Sequence, residues 1–97
     1  MFKDFAVRNG LDDATLVELF QWSKADFDTR LLGSAIHRIG YERWLRNLAV
    51  GLGNALSALG SASRSSPPAA TIVAALRARS DHASALVREH VAWALLQ

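Results

Sequence analysis

Apolar side chains recur along this chain at the three- and four-residue spacings of amphipathic helices. The longest such run extends from Tyr41 to about Leu59, and its apolar residues fall within an arc of about 140° at 100° per residue. Arg43 and Arg46 lie on the opposite side. The pattern therefore predicts a central helix with one buried and one polar face. The apolar arc consists of Trp44, Leu45, Leu48, Ala49, Leu52, Ala55, Leu56 and Leu59.

Two shorter helices are predicted before the central one. Apolar spacing indicates a helix over about 13–22, for which Asp12 or Asp13 is the candidate N-cap. Ser23 is followed three residues later by Asp26, which is the spacing of a capping box. A second helix is therefore expected to begin after Ser23 and to end at a glycine, Gly33.

The C-terminal third is predicted to hold two more helices, over about 68–79 and 84–96. Before them, residues 60–68 are rich in serine and end in two prolines, which is typical of a mobile loop followed by a helix start. Residues 44–52 align weakly with residues 87–95, at a separation within the period of HEAT-type repeats. We therefore expect an all-α fold, a short array of about five helices with HEAT-like packing.

Composition supports a single small helical domain over residues 1–97. Of these residues 51% are hydrophobic and 21% charged, which is too apolar for a disordered chain. Residues 1–11 form a lead-in whose Phe2 and Phe5 need a surface to cover. No apolar run approaches the ~20 residues of a membrane-spanning helix, so we expect no membrane contact and a cytoplasmic location.

The sequence offers no pattern typical of a catalytic or metal site. The chain has no cysteine, which excludes thiolate metal sites, disulfides and a cysteine nucleophile. The spacing of His37, His82 and His90 does not match a helical metal pair. No nucleophile with an adjacent base is recognisable. We expect no catalytic, cofactor-binding or metal-binding residue in this chain.

Positive charge is concentrated in the middle of the chain. Residues 30–64 carry five cations and one acid, whereas residues 1–29 carry three cations and six acids. Guanidinium groups pair well with phosphate oxygens, so this segment is a candidate phosphate-binding surface. An ordinary solvated helix face explains the same charges, and Glu42 would then neutralise a neighbouring arginine. The candidate RNA contacts are Arg30, His37, Arg38, Arg43 and Arg46.

For most of the tryptophan and glycine positions, the pattern favours a structural role over ligand binding. Trp44 and Trp93 occur at helical spacing with other apolar residues, which predicts core packing for both. Trp22, at a helix end, remains open to base stacking. Gly51 and Gly53 are predicted to allow close helix contact, because they lack the strand–turn–helix setting of a phosphate loop.

Three runs of sequence resemble the C-terminal part of epoxyqueuosine reductase: residues 16–23, residues 33–55 and residues 89–95. The resemblance implies that the chain is a piece of a tRNA-modifying oxidoreductase, which completes queuosine at the anticodon wobble position. That family uses cobalamin and two four-iron, four-sulfur clusters, none of them held by this region. The chain would then be the HEAT-like C-terminal domain, non-catalytic by itself, which helps tRNA dock.

The resemblance also implies the partners: tRNA, and the catalytic half of the same enzyme outside this chain. A homodimer through surface that the catalytic half would cover is a further expectation. The 60–68 loop is longer than the turn usual in the family. The alternative is a helical protein-interaction or structural module without RNA contact, which the apolar Phe2 and Phe5 favour.

Overall fold

The computed structural model describes residues 13–60 and 66–97, with only the backbone described at residues 13 and 14. One turn of 3-10 helix, at His37–Ile39, precedes the third α-helix. These two ranges contain no strand, and the predicted all-α class is confirmed. The α-helices are α1 (Asp13–Phe20), α2 (Lys24–Leu31), α3 (Tyr41–Leu59), α4 (Pro67–Arg77) and α5 (Ala85–Leu95).

Helix α3 has the bounds that the sequence predicts, and a glycine stands at each end. Gly40 has φ 88° and Gly60 has φ 76°, conformations that residues with a side chain rarely adopt. A right-handed helix cannot continue through a residue with such a positive φ, whatever the apolar pattern. The glycines therefore fix where α3 begins and ends.

Serine side chains cap α2 and α5. The Asp26 amide donates to Ser23 Oγ at 3.1 Å, and the Ser23 amide donates to Asp26 Oδ2 at 3.3 Å, which confirms the predicted capping box. At α5, the Val87 amide donates to Ser84 Oγ at 3.3 Å. Each serine oxygen satisfies an amide that has no partner within its helix.

Several predicted helix bounds differ from those observed. Helix α1 ends at Phe20 rather than near residue 22, and α2 ends at Leu31, two residues before Gly33. Helix α4 begins at Pro67, one residue earlier than predicted, because the first helical position needs no backbone N–H. It ends at Arg77 rather than residue 79, since residues 78–81 form turns instead of continuing the helix. Helix α5 is shorter by one residue at each end than the predicted 84–96.

The core is built around α3, which contacts all four other helices and packs most extensively against α5. HEAT-like packing remains a prediction. The buried residues of α3 include Trp44, Leu45, Leu48, Ala49, Leu52 and Leu56. The other helices contribute Leu16, Phe20, Phe27, Ile72, Leu76, Val87 and Val91, among others, to the same core.

Helices α3 and α5 lie close together at Gly53. A Cβ atom placed there would lie 3.0 Å from the Ala94 Cα atom and 2.5 Å from Trp93 Cζ3. The predicted role of Gly53 in close helix contact is confirmed. At Gly51, by contrast, a Cβ would meet only the Leu16 side chain, at 3.7 Å, an ordinary contact distance.

The prediction that Trp93 is a core residue is wrong. Its ring lies against Gly53, yet 38% of the residue is exposed. The buried side of α5 is formed by Val87, Val91 and Ala94. Trp93 is two residues beyond Val91, which turns its side chain by roughly 200° from that residue and places it on the flank of the helix.

Several predictions fall on residues outside the described ranges: Phe2 and Phe5, the lead-in of residues 1–11, the Asp12 N-cap and most of the 60–68 loop. Within the described ranges, Pro67 and Pro68 belong to α4. None of the helices in residues 13–60 and 66–97 is both long and apolar enough to span a membrane.

Candidate nucleic-acid interface

Two of the predicted RNA contacts, Arg38 and Arg43, flank the beginning of α3. Arg38 lies in the 3-10 turn and Arg43 in the first turn of the helix, and both side chains are exposed. Gly40 supplies no side-chain cap, so the positive end of the α3 dipole adds to their charge. No residue in the described ranges forms an ion pair or hydrogen bond with either guanidinium. This end of α3 therefore carries positive charge that the described residues leave unpaired.

Arg46 extends the same side of α3. It follows Arg43 by three residues, a spacing that makes two side chains neighbours on a helix surface. Arg46 is half-buried, and its Nε donates to Asn47 Oδ1 at 2.8 Å. The amide partner is neutral, so it orients the guanidinium without cancelling its charge.

Glu42 does not neutralise an arginine within the described residues, contrary to the sequence expectation. Its carboxylate instead accepts a hydrogen bond from the hydroxyl of Ser84. The same hydroxyl oxygen accepts from the Val87 amide, so one serine caps α5 and joins it to the first turn of α3. The acid nearest to Arg43 in sequence thus has a structural partner on another helix.

His37 occupies a different environment from the arginines. Its Nε2 lies 3.0 Å from Asp28 Oδ1, and its ring stacks on Phe27 with centroids 5.3 Å apart. Lys24 Nζ donates to the other oxygen of Asp28 at 2.7 Å. His37 therefore joins the 3-10 turn to α2, and its contact with phosphate stays a prediction.

These two donors lower the pKa of the Asp28 carboxyl from its ordinary 3.8, Lys24 by its hydrogen bond first and His37 second. Because the pKa of Asp28 is depressed in the folded state, its stabilising contribution is present at pH values above 3.8. This contribution is lost as the pH falls through the pKa of the folded state. We therefore expect the wild-type chain to lose more thermal stability than Asp28→Asn between pH 5 and pH 2, since the variant has no such titration. Circular dichroism melts across this range measure the difference.

The matched control for this prediction is Asp81→Asn, at an exposed acid in the turn before α5. Its acid profile should follow that of the wild type. A profile of Asp28→Asn that is parallel to the wild-type curve would contradict the assignment of the link between α2 and the 3-10 turn.

Arg30 lies over an aromatic ring. Its guanidinium carbon is 5.0 Å from the centre of the Trp22 ring, which is a cation–π distance. Trp22 in turn stacks on the buried Trp44, with centroids 5.5 Å apart and an angle of 22° between the planes. Arg30 is exposed and has no ion pair with a described acid.

A polar junction that the sequence did not indicate holds Trp22 in place. Arg79 Nε donates to the Phe20 carbonyl at 2.8 Å, and its Nη2 donates to the Trp22 carbonyl at 3.0 Å. The Tyr41 hydroxyl donates to the same Trp22 carbonyl. Burial raises the pKa of the Tyr41 phenol, and the nearby Arg79 partly opposes that rise. These partners are 19 to 59 residues apart in sequence, beyond the reach of any local pattern.

Within residues 13–60 and 66–97, no group of three or more His, Cys, Asp or Glu side chains is arranged to hold a metal ion. The described part of the chain is thus an all-helical domain with a basic surface at the start of its central helix. Comparison with known proteins narrows the class of protein to which this chain is similar.

Over nearly its whole length the chain is similar to proteins named epoxyqueuosine reductase. The protein from Burkholderia pseudomallei is 67% identical over 95% of this chain and 23% of its own length. Those from Xanthomonas campestris and Escherichia coli are 53% and 44% identical, over 97% and 98% of the chain. The predicted resemblance to this family is confirmed.

The chain spans about a quarter of the length of these curated relatives, between 22% and 23% for the three named. It therefore matches a small part of an epoxyqueuosine reductase. No protein-family profile matches the chain, and no solved structure matches it.

Proposed function

We propose that this chain is the C-terminal, non-catalytic domain of a tRNA epoxyqueuosine reductase, and that it helps to dock the anticodon stem against the catalytic half. The observation that carries the proposal is the pair of exposed guanidinium groups of Arg38 and Arg43, unpaired among the described residues, at the start of α3. Both lie in a region that matches the epoxyqueuosine reductases. A tRNA substrate of such an enzyme is a polyanion, so exposed arginines are the groups expected to meet it.

The cofactors of the proposed parent enzyme belong outside this chain. Iron–sulfur clusters are held by cysteine thiolates, and this chain has no cysteine. We assign both clusters and cobalamin to the remaining three quarters of the parent. The contribution of this domain is then positional, because phosphate contacts fix the register and orientation of a nucleic acid without reading its sequence.

The geometry at the start of α3 suits such contacts. Arg38, Arg43 and Arg46 lie within nine consecutive residues, and no side chain caps the start of α3 beside them, although Glu42 lies in its first turn. Glu42 is hydrogen-bonded to Ser84, and Asp28 is bonded to Lys24 and His37. Neither acid forms an ion pair with one of the three arginines. A phosphate that approaches Arg43 does not have to break an internal ion pair in the described part of the chain.

A second candidate function is a helical module that binds another part of its parent protein and no RNA. Two exposed leucines favour it: Leu32, at the end of α2, is 76% exposed and Leu96, after α5, is 83% exposed. Burial of a leucine side chain is worth about 1.5–3 kcal/mol, so both would stabilise a contact with a protein surface. Self-association through Leu32 and Leu96 is the behaviour that distinguishes this candidate.

The proposed docking function is tested by titrating the chain into a fluorescently labelled anticodon stem-loop at low salt. We expect the triple variant Arg38→Glu, Arg43→Glu, Arg46→Glu to bind roughly tenfold more weakly or worse, because each reversed charge removes an attraction to phosphate. The slope of log affinity against log salt should also become shallower by about one for each phosphate-binding arginine that is replaced. Circular dichroism verifies that the variant remains helical.

A matched pair of single variants separates a local site from general charge. Arg43→Glu and Arg77→Glu both reverse an exposed helical arginine, but Arg77 lies in the last turn of α4. We expect Arg43→Glu to weaken binding several-fold more than Arg77→Glu. Equal losses would contradict docking at the start of α3. Absence of RNA binding, with self-association that Leu32→Ser and Leu96→Ser abolish, would support the second candidate instead.

A further inference from the structure

Three side chains lie in contact one after another, from the core to the protein surface. Trp44 is 1% exposed and forms the buried layer, Trp22 stacks on it, and the guanidinium of Arg30 lies over the Trp22 ring. Arg30 is the exposed layer. A guanidinium is planar, with two faces on which flat groups stack, unlike the compact ammonium group of lysine.

We propose that Arg30, supported by Trp22, is a stacking platform for an unpaired nucleobase of the bound tRNA. The inference rests on the proposed docking function and adds to it the part of the RNA that Arg30 meets. In this proposal a base lies on the exposed side of the guanidinium, which itself lies over the Trp22 ring. Arg30 thus acts through its plane, whereas Arg38 and Arg43 act on phosphates through charge.

The platform is held in position before any ligand arrives. The Trp22 carbonyl accepts hydrogen bonds from the Tyr41 hydroxyl and from Arg79 Nη2, and the ring rests on Trp44. The ring that supports Arg30 is therefore fixed by contacts with α3 and with the segment after α4. Groups that are already ordered lose less conformational entropy on binding, which favours affinity.

The chemistry of the stack selects an unpaired base. In an A-form stem each base face is covered by its neighbours, whereas loop bases are free to stack on aromatic rings and guanidinium planes. Such stacking is tolerant of sequence because every base has a π-face. In the described ranges no acid pairs with Arg30, since Asp28 is bonded to Lys24 and His37.

The platform and the phosphate contacts lie at the same end of α3. Tyr41 is the first residue of that helix and bonds to Trp22, while Arg43 follows two residues later. The Phe27 ring touches the rings of both Tyr41 and His37, which ties α2 to the same corner. One strand of RNA that crosses the start of α3 can therefore offer phosphates to Arg43 and a base to Arg30.

The test uses two single-stranded oligonucleotides of equal length and charge, one with all bases and one with abasic sites throughout. Arg30→Lys keeps the charge but removes the plane. We expect it to weaken binding of the base-bearing strand about fivefold, the low end of a single stacking contact, and to leave the abasic strand within about twofold. Arg77→Lys, at an exposed arginine of α4 in the described region, should change neither affinity.

The outcomes separate the platform from the docking function. If Arg30→Lys weakens the binding of both strands equally, or changes neither affinity, the platform proposal is overturned. The docking proposal stands in either case if RNA binding still depends on Arg43. If the wild-type chain binds the anticodon stem-loop but neither strand, the platform fails and docking stands; if it binds none of the three, both proposals fail. Preferential binding of polyglutamate over RNA, abolished in Arg30→Lys, would assign Arg30 to a protein carboxylate and would also overturn the platform.

Discussion

Replacing Trp44 by alanine should lower the free energy of unfolding by about 3–5 kcal/mol, the range typical for removal of a large buried aromatic side chain. Trp44 is 1% exposed, and its ring contacts the rings of Trp22 and Phe27, at centroid distances of 5.5 and 5.2 Å. Its removal leaves a cavity where α2 and the end of α1 meet α3. Since small domains are stable by about 5–15 kcal/mol, the loss is a large fraction of the total. Urea denaturation followed by far-ultraviolet circular dichroism measures it.

The control is the same substitution at Trp93. That residue is 38% exposed, so its ring buries less apolar surface in the folded state and its removal costs less. We expect a loss of about 1–2 kcal/mol for Trp93→Ala. If Trp93→Ala were as destabilising as Trp44→Ala, the assignment of Trp44 to the core and of Trp93 to the flank of α5 would be refuted.

Gly53→Ala should destabilise the domain by about 1–3 kcal/mol, the usual range for overpacking a tight core. The added Cβ would lie 3.0 Å from the Ala94 Cα atom, a backbone atom that moves only if α5 shifts. Alanine normally stabilises a helix by up to about 1 kcal/mol relative to glycine, so the steric effect has to exceed this gain. The melting temperature of the variant should therefore fall.

Gly51→Ala is the matched control, two residues away on the same helix. Its Cβ would meet the flexible Leu16 side chain at 3.7 Å, an ordinary contact. Helix propensity then dominates, and we expect a gain of up to about 1 kcal/mol. A rise in melting temperature for both variants would mean that α3 and α5 do not approach as closely at Gly53 as described.

The parts of the fold that were predictable from sequence depend on local signals. The bounds of α3 follow from an apolar period that stops at Gly40 and Gly60, and the capping box is a local pattern of two residues spaced three apart, Ser23 and Asp26. Such features depend on backbone and side-chain chemistry within one turn. The predicted start of α4 differs from the observed one by one residue, because two consecutive prolines both fit a helix N-terminus.

The features that were not predictable join residues far apart in the chain. Ser84 bonds to Glu42 across 42 residues, and Arg79 bonds to Phe20 across 59. Helical spacing places Trp93 among apolar residues, but the angle at which α5 meets α3 decides which of them is buried. Once packing buries Val87, Val91 and Ala94, helical spacing places Trp93 on the flank.

The candidate site shows the same division. A helical projection correctly places Arg43 on the polar side of α3, where it is exposed. It does not reveal that Glu42 is engaged by another helix or that His37 is paired with Asp28. The position of Arg30 over Trp22 was equally unpredictable, since the two residues belong to different elements.

The junction at Trp22 has a consequence for how the domain folds. The Phe20 and Trp22 carbonyls at the end of α1 find their donors on Tyr41 and Arg79, which belong to later parts of the chain. A helix of eight residues is too short to persist alone in water, so α1 depends on these late partners. Helix α1 is therefore not an early, autonomous folding nucleus, and its order arises together with the docking of α3 and α4.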